Sequence, residues 1–401
     1  MFELLDKKPD DPILALLIEA RNDPSPNVVD LSAGVYKSED GNTPIFSAIK
    51  TAEDRRHKTE ATKSYLGIRG DERFNQLVTE LLLGKDHSVL ADGRVSSIQT
   101  VGGSGALFVG GRLLVEANPN TKIWAGDPTW GNHIPLLTSA GAAMGSLPYY
   151  DRGSHRVNFD ALLESLQCLD EGAVVLLHGC CHNPTGADLS ADQWDQLADL
   201  ILEKNLIPFV DVAYHGLAQN LDQDAYGWRM LADRVPEMLI AYSCSKNFGV
   251  YRDRVGLLAV VSRNAEESAK TLSNMMSICR ATYSMPPAHG AFSVAEVLDD
   301  SALCAEWKGD LDRMRGRIED ARKAFVEAIG RVSSSMDFGF VTEQFGMFSF
   351  LGITADQVNR LKTKHSVYML QSSRVNVAGL TSANTDYVAG ALVQVLNSAA
   401  N

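Results

Sequence analysis

The chain has 401 residues, a net charge of -13 at pH 7 and a pI near 5.2. This length allows two or three domains with a large core, and 45% hydrophobic and 22% charged residues exclude a disordered chain. The acidic balance argues against nucleic acid or an anionic membrane as the main partner, but it leaves small anionic ligands open.

The start of the chain and its cysteines indicate a reducing compartment. Residues 1–6 lack the basic and apolar regions of a secretory signal peptide, and no apolar stretch approaches the length that spans a bilayer. The cysteines form no C-x-x-C pair and no regular framework: Cys168, Cys180, Cys181, Cys244, Cys279 and Cys304. We therefore expect free thiols, no membrane span and a cytoplasmic location.

Short β-rich runs alternate with helical patterns through the middle of the chain. We predict strands at 95–101, 122–125, 173–178, 207–212, 238–242 and 255–261, and helices at 106–116, 133–139 and 192–203. Such alternation predicts an α/β fold with a mostly parallel sheet covered by helices on both faces. Ligands of these sheets bind at the carboxyl ends of the strands, which is where the candidate site residues lie.

The last quarter of the chain has a different pattern. Between residues 300 and 330 it is helical, with an apolar stripe that we expect to be core rather than ligand contact: Trp307, Leu311, Met314 and Ile318. Two short strands are predicted to follow, at 338–342 and 347–350. We therefore predict a large domain at 44–312 and a smaller α/β domain made of 1–43 and 313–401.

Glycines follow the first predicted strand and open a helix. Gly102, Gly103, Ser104 and Gly105 would place backbone N–H groups at a helix N-terminus, where an anion such as phosphate can bind closely. The run is neither G-x-G-x-x-G nor a Walker A motif, so an ordinary tight turn is the alternative.

Two later loops carry further candidates. Trp130 can stack on a heteroaromatic ring or simply cover the core. The run from His178 to Gly186 holds two histidines and two cysteines, but no second Cys/His cluster follows. We therefore reject a zinc site and predict no metal. Asn183 is the informative residue, because Asn-Pro-x-Gly after a buried strand is a turn that presents the amide to a ligand.

Asp211 and Tyr214 end another predicted strand. A buried carboxylate at position 211 needs a cationic partner, which a protonated pyridine nitrogen would supply. The hydroxyl of Tyr214 can then donate to an oxygen on the same ring. The alternative is an aspartate that caps the next helix.

The residues around Lys246 suit a phosphorylated aldehyde. Ser243, Ser245 and Arg254 can bind the phosphate, since arginine makes bidentate contacts with such oxyanions. A desolvated Lys246 can become a neutral amine and form a Schiff base. A solvated surface segment is the alternative.

Arg280 and Arg374 both lie in otherwise uncharged surroundings. An arginine flanked by apolar residues usually needs a carboxylate or phosphate partner. Each is therefore a candidate for binding a carboxylate or a phosphate, and a structural salt bridge is the alternative.

Together these pieces resemble the class I, fold-type I aminotransferases that use pyridoxal 5′-phosphate (PLP), in the aspartate and aromatic amino-acid branch. The likeness extends almost from end to end, through motifs at 11–14, 32–36, 65–67, 103–107, 178–186, 211–214, 243–254, 280–290 and 374–379. It implies a large domain with a mostly parallel mixed sheet, a smaller α/β domain, and a homodimer with shared active sites.

The resemblance also implies a role for each cofactor residue. Lys246 would hold PLP as a Schiff base, and Asp211 would contact the pyridine nitrogen. Asn183 and Tyr214 would contact the phenolic oxygen, and Trp130 would stack on the ring. The implied phosphate cup is formed by Gly103, Ser104, Gly105, Ser243, Ser245 and Arg254, with Tyr65 reaching it from the neighbouring subunit.

Substrate contacts follow in the same way. Arg374 would clamp the α-carboxylate, and Arg280 would cross the dimer interface to a dicarboxylate side chain. The backbone of Gly34 would lie over a substrate that also contacts Trp130 and Asn183. Lys246 would move a proton between Cα and the cofactor, with ping-pong kinetics.

The implied substrates are amino acids and 2-oxo acids. Met285 and the residues around Lys246 look like aromatic aminotransferases, whereas Val35, Lys37 and the run after Arg374 look like aspartate enzymes. We therefore expect transfer from aromatic amino acids and from aspartate or glutamate to 2-oxoglutarate or oxaloacetate. A strict aspartate aminotransferase is the alternative. More remote alternatives are a PLP-dependent lyase or decarboxylase and a non-catalytic aminotransferase-like regulator.

Overall fold

The computed structural model describes residues 1–398 and has two compact units. The first unit contains Met1–Thr43, Pro184–Gly186 and the chain from Arg317 onward. The second contains Pro44–Asn183 and Ala187–Gly316. The domain assignment of 44–312 against 1–43 and 313–401 stays a prediction. None of the described helices is long and apolar enough to cross a bilayer.

The elements alternate as the sequence predicts through the middle of the chain. The strands are β1 (Val29–Asp30), β2 (Val95–Val101), β3 (Lys122–Asp127), β4 (Ala143–Pro148), β5 (Tyr150–Asp151), β6 (Arg156–Val157), β7 (Val174–His178), β8 (Ile207–Val212), β9 (Met238–Ser243), β10 (Val255–Val261), β11 (Phe348–Phe350), β12 (Val367–Tyr368) and β13 (Arg374–Asn376). The first α-helices are α1 (Pro12–Asn22), α2 (Ser47–Thr59), α3 (Glu72–Leu83), α4 (Ser88–Ala91), α5 (Gly102–Ala117), α6 (His133–Ser139), α7 (Phe159–Gln167) and α8 (Ala191–Glu203). The later ones are α9 (Leu221–Asp224), α10 (Tyr226–Arg234), α11 (Ala265–Thr282), α12 (Ala288–Asp299), α13 (Ser301–Val332), α14 (Phe340–Glu343), α15 (Ala355–His365) and α16 (Thr385–Asn397).

A seven-stranded sheet forms the centre of the second unit. Its order is β2-β10-β9-β8-β7-β3-β4, and only β10 runs antiparallel to its neighbours. The prediction of a mostly parallel mixed sheet is therefore confirmed. The parallel register pairs His178 with Asp211, so the carboxyl ends of β7 and β8 meet at one edge.

The core of this unit lies between the sheet and its helices. Buried apolar residues of β2, β8 and β10, among them Ile98, Phe209 and Leu258, pack against α5 and α11, where Met275 is one of the partners. A Cβ at Gly110 of α5 would lie 2.6 Å from Cζ of Phe209, so glycine permits this close approach of helix to sheet.

Two parts of the sequence-based assignment differ from the structure. The predicted strand at 338–342 is wrong: Asp337 Oδ1 accepts from the N–H of Gly339 at 2.8 Å, and a short helix, α14, follows. This local turn overrides the β propensity of the aromatic residues around it. Strand β4 has no counterpart in the prediction, because Gly145 and Pro148 weaken its pattern and its place at the sheet edge removes the need for a continuous apolar run.

The expected apolar stripe of α13 is confirmed. Its four members, Trp307, Leu311, Met314 and Ile318, are each less than 5% exposed. The indole N–H of Trp307 also donates to the carbonyl of Asn247 at 2.6 Å, beside Lys246 in the chain. The stripe is therefore core, as its helical spacing predicts.

Acidification is expected to destabilise the second unit through a buried histidine. His215 accepts at Nδ1 from the Tyr242 hydroxyl (3.1 Å) and donates from Nε2 to the Leu221 carbonyl (2.6 Å), so its partners suit the neutral ring. Burial lowers the pKa of His215 to about 4 from 6.5. Because the folded pKa is the lower one, stability is lost as the pH falls below the unfolded pKa, by about 2 kcal/mol at pH 5.

Urea unfolding at pH 7 and pH 5 tests this expectation. His215→Asn should lose about 2 kcal/mol less than wild type between the two pH values, because asparagine does not titrate. His57→Asn, at an exposed position, serves as the matched control and should lose as much as wild type. Equal losses in all three proteins would contradict the assignment.

Candidate active site

Two polar side chains approach the start of α5 closely where it follows β2. Gly102 has a φ of +66°, and a Cβ there would lie 2.5 Å from Nη2 of Arg254. A Cβ at Gly103 would lie 2.9 Å from Cβ of Ser243. Only glycines allow the guanidinium and the Ser243 side chain to approach the start of the helix so closely. Helix N–H groups, a guanidinium and a hydroxyl thus converge as a phosphate site requires.

Hydrogen bonds fix the parts of this site. Arg254 donates from Nη1 to the carbonyl of Tyr251 at 3.0 Å, and its own carbonyl accepts from Gly102 N at 2.9 Å. Ser243 and Ser245 are each 4% exposed, and Ser245 N donates to Ser243 Oγ at 3.3 Å. Ser104 and Gly105 lie in the first turn of α5. Gly102 is the residue against the guanidinium; the resemblance named its successors Gly103, Ser104 and Gly105 for the phosphate cup, and that assignment stays a prediction.

Lys246 lies in the turn that follows β9 and is partly buried. Its Nζ is 5.0 Å from the centroid of the Tyr214 ring, which is itself 5% exposed. Tyr214 follows β8, so two adjacent parallel strands bring the amine and the phenol together at their carboxyl ends. The structure thus rejects the alternative of a fully solvated lysine segment.

Asp211 is a buried carboxylate in the same region, 7% exposed. Its Oδ2 accepts a hydrogen bond from Nε2 of His133 at 2.9 Å, and His133 is completely buried. Burial alone would raise the pKa of Asp211, but the His133 hydrogen bond and the charge of Lys246 lower that pKa below its ordinary value. The carboxylate is therefore ionised at neutral pH and does not act as a helix cap.

Further hydrogen bonds connect His133 to Thr129 and His178. Nδ1 of His133 is 2.8 Å from Oγ1 of Thr129, which is 3.0 Å from Nε2 of His178. Burial, with the charge of His133 as a second cause, lowers the pKa of His178 to about 3, so this ring is neutral near pH 7. Sequence reasoning assigned no role to His133 or Thr129. The available signal was that a buried aspartate needs a donor and that a histidine begins the helix after another strand of the same sheet.

The loop that carries Asn183 is ordered by another carboxylate. Asp188 accepts from the backbone N–H groups of Cys181 (2.6 Å) and His182 (2.7 Å), and Asn183 is 6% exposed. The sequence analysis did not identify Asp188, because its hydrogen bonds to Cys181 and His182 exist only once the loop has folded. Among residues 1–398, no group of three or more His, Cys, Asp and Glu side chains is placed to hold a metal ion.

Trp130 packs against the hydrophobic core of the unit and is partly buried. Its ring meets that of His133 edge-on, with centroids 5.2 Å apart and an interplanar angle of 85°. The tryptophan therefore covers the core, and it also stands beside the histidine that holds Asp211.

Arg374 belongs to the first unit and is 3% exposed. Its Nη2 donates to the carbonyl of Ser32 at 2.7 Å, and its guanidinium lies 4.3 Å from the centroid of the Phe348 ring. A Cβ at Gly34 would lie 3.6 Å from Cζ of the same phenylalanine. Phe348 thus orders both residues that the sequence assigned to substrate binding in this unit.

Tyr65 and Arg280 are exposed on the second unit. Tyr65 is 94% exposed, which is unusual for an aromatic residue. Arg280 lies in the last turn of α11 and donates to the Ser284 hydroxyl. It forms no ion pair with any residue that the structure describes, so the alternative of a structural salt bridge finds no partner here.

Comparisons with known proteins agree over almost the whole chain. The family described as "Aminotransferase class I and II" matches residues 26–392. The chain is 42% identical over 396 residues to an aspartate aminotransferase of Haemophilus influenzae, covering 99% of this chain and 100% of that one. It is 43% identical to an aromatic-amino-acid aminotransferase of Pseudomonas aeruginosa, with 98% of each chain covered. The aromatic-amino-acid aminotransferase of Burkholderia pseudomallei, covalently bound to pyridoxal phosphate, superposes with a TM-score of 0.96 at 38% identity over 99% of both chains.

Proposed function

Because this chain belongs to the class I and II aminotransferase family and is a PLP-dependent transaminase, we propose that it has dual substrate specificity. It transfers the amino group of aromatic L-amino acids, and of L-aspartate or L-glutamate, to 2-oxoglutarate or oxaloacetate. The fold and enzyme class expected from the sequence are confirmed, whereas the roles of individual residues remain proposals.

The residues of the second unit fit PLP. The helix N-terminus at Gly102 and Gly103, with Ser243 and Arg254, suits a dianionic phosphate. Asp211 has one oxygen held by His133, while Oδ1 accepts no hydrogen bond from any described residue. That oxygen can accept the N–H of a protonated pyridine ring. When bound through Lys246, PLP supplies an electron sink for the electrons released at the substrate Cα.

The single observation that carries the assignment of transamination to this site is the cluster of Asp211, His133 and Lys246, because Asp211 is bonded to His133 and its pKa is lowered by the charge of Lys246. Asp211, ionised and oriented by His133, would hold a proton on the pyridine nitrogen of the cofactor. The amine of Lys246 would be the base that takes the proton from Cα and later returns it. Tyr214 and Asn183 would donate hydrogen bonds to the phenolic oxygen of the cofactor, and Trp130 would pack against its ring.

Substrate binding is assigned to arginines. Arg374 binds the α-carboxylate, and its contacts with Ser32 and Phe348 fix the guanidinium in advance. Because Nη2 of Arg374 is already bonded to the carbonyl of Ser32, the arginine side chain loses less conformational entropy when a substrate carboxylate binds. Gly34, in contact range of the same phenylalanine, keeps the adjacent backbone free of a side chain.

Both kinds of amino donor are supported by separate features. The exposed Arg280 suits the second carboxylate of aspartate or glutamate. Met285, five residues later, offers a flexible thioether to an aromatic side chain. The relatives divide in the same way, since the Haemophilus enzyme is an aspartate aminotransferase and the Pseudomonas enzyme an aromatic-amino-acid aminotransferase. A strict aspartate enzyme is the alternative, to which Lys37 and Val35 point.

Arg280→Ala separates the two substrate classes. We expect kcat/KM for aspartate to fall about 100-fold, because a desolvated carboxylate loses its cation, and that for phenylalanine to change less than about threefold. Steady-state rates with aspartate, phenylalanine and tyrosine, each with 2-oxoglutarate, provide the measurement. Arg263→Ala, which removes an exposed arginine paired with Glu237, is the control. Equal losses on aspartate and phenylalanine would refute the assignment, and no turnover of aromatic donors by wild type would leave the strict aspartate enzyme.

The enzyme is proposed to act as a cytoplasmic homodimer. Tyr65, 94% exposed, and Arg280, also exposed, face solvent in the single chain, yet their proposed roles require them in an active site. In a homodimer, Tyr65 and Arg280 of one subunit would enter the active site of the other, so their exposure in the single chain agrees with their proposed roles. All six cysteines are free thiols, which supports a reducing compartment. Sedimentation equilibrium that shows an active monomer would overturn the dimer.

A further inference from the structure

Gln99 is a fully buried amide in the middle of β2, with 0% exposure. Its Oε1 accepts from the backbone N–H of Asp71 at 2.9 Å, and its Nε2 donates to the carbonyl of Pro287 at 2.7 Å. The two partners fix the orientation of the amide, because a flipped group would place two donors together and two acceptors together. The side chain therefore connects two distant segments to one strand.

The first segment is the turn that follows Tyr65. Gly70, with a φ of +81°, packs so closely that a Cβ there would lie 2.2 Å from Oε1 of Gln99. The backbone N–H of Gln99 adds a hydrogen bond to the carbonyl of Arg69 at 3.1 Å. The position of this turn is thus determined by the Gln99 residue through both backbone and side chain.

The second segment extends from Arg280 to Pro287. Arg280 lies in the last turn of α11, Ser284 has a φ of +67°, and Pro287 is the residue before α12. The hydrogen bond from Gln99 holds the far end of this irregular stretch. Strand β2 itself continues into Gly102, three residues after Gln99, where the phosphate site begins.

We propose that Gln99 is a positioning residue that holds the segments carrying Tyr65 and Arg280 in place for the active site of the neighbouring subunit. The inference rests on the proposed dimer with shared sites. Gln99 touches neither the cofactor nor the substrate; it acts through the two segments that it joins. Its loss therefore impairs the partner's site more than its own.

Two variants separate the two hydrogen bonds. Gln99→Met removes both at similar volume, whereas Gln99→Glu keeps an acceptor for Asp71 and places an oxygen against the carbonyl of Pro287. We expect each to lower kcat/KM for aspartate about tenfold. The loss in Gln99→Glu should be larger for aspartate than for phenylalanine, because only aspartate needs Arg280. If neither variant folds, Gly70→Ala is the substitute, because a Cβ at position 70 would lie 2.2 Å from Oε1 of Gln99 and disturb its packing against the turn.

Hybrid dimers give the decisive test. One subunit carries Lys246→Ala and Gln99→Met, and its partner is wild type, with different affinity tags used to isolate the hybrid. Only the wild-type subunit then holds a reactive lysine, so one site is measured. Relative to a hybrid with Lys246→Ala alone, we expect kcat/KM for aspartate to fall about tenfold. In the converse hybrid, with Gln99→Met on the lysine-bearing subunit, we expect a change below about twofold.

Equal effects in both hybrids, or an effect only in the converse one, would overturn the inference while leaving the dimer intact. An active monomer would instead overturn the proposed shared sites. Thr121→Val controls for general destabilisation, since it removes hydrogen bonds to the carbonyls of Leu114 (3.0 Å) and Asn118 (2.7 Å) in the same unit. It should alter stability and leave the difference between the hybrids unchanged.

Discussion

Lys246→Ala is expected to lower the rate of amino transfer by at least about 10⁴-fold and to abolish covalent binding of PLP. The lysine is assigned two roles, attachment of the cofactor and movement of the Cα proton. Its position supports both, because Nζ lies 5.0 Å from the Tyr214 ring and its charge lowers the pKa of Asp211. Steady-state turnover with 2-oxoglutarate and the visible absorption of the purified enzyme provide the measurements.

Lys270→Ala is the matched control for this change. Lys270 is exposed and pairs with Glu266 one helical turn away, so its loss should leave turnover and absorption unchanged. A Lys246→Ala enzyme that keeps more than about a hundredth of wild-type activity would contradict the assigned base. Restoration of slow turnover by a small external amine would support the proton-transfer role in particular.

Asp211→Asn is expected to lower kcat about 10³-fold while the protein still folds. Asparagine can still accept the Nε2 hydrogen bond of His133, so the local geometry is retained and only the charge is lost. Without a carboxylate, nothing keeps the pyridine nitrogen protonated, and removal of the Cα proton becomes slow. A larger kinetic isotope effect with Cα-deuterated aspartate would show that this step has become limiting.

The lowered pKa of Asp211 sets the sign of the pH dependence. Its carboxylate is ionised at every pH above that lowered pKa, so its contribution is present at neutral pH and is lost only as the pH falls through the acidic range. Asp195→Asn, at a partly buried position where the carboxylate accepts from the Tyr226 hydroxyl, is the control. An Asp211→Asn enzyme with a tenth or more of wild-type kcat would contradict the role.

The strands at the centre of the sheet could be predicted from sequence because both of their faces are buried. Strands β8 and β10 are mostly apolar, apart from Asp211 in β8, and their observed bounds are 207–212 and 255–261. Strand β4 at the sheet edge carries a weaker pattern, and the helix at 340–343 depends on a turn made by Asp337. Edges and local turns are decided by contacts that periodicity does not record.

Site residues also differ in whether the local sequence alone could predict them. Lys246, Asp211 and Arg254 could be predicted as site residues because charged side chains are rare next to apolar strands. His133 could not, because its partner Asp211 lies 78 residues away and only the sheet brings them together. Gln99 has no chemistry of its own, and its importance follows from contacts with Asp71 and Pro287. Long-range hydrogen bonds of this kind require the folded chain.

The most direct test of the account is the site of cofactor attachment. Borohydride reduction of the PLP-loaded enzyme makes the bond between lysine and cofactor permanent, and peptide mapping by mass spectrometry then locates it. We expect a single pyridoxyl adduct, on the peptide that contains Lys246, with loss of activity in proportion to its formation. An adduct on any other lysine, or an active enzyme without modification at position 246, would contradict the central claim.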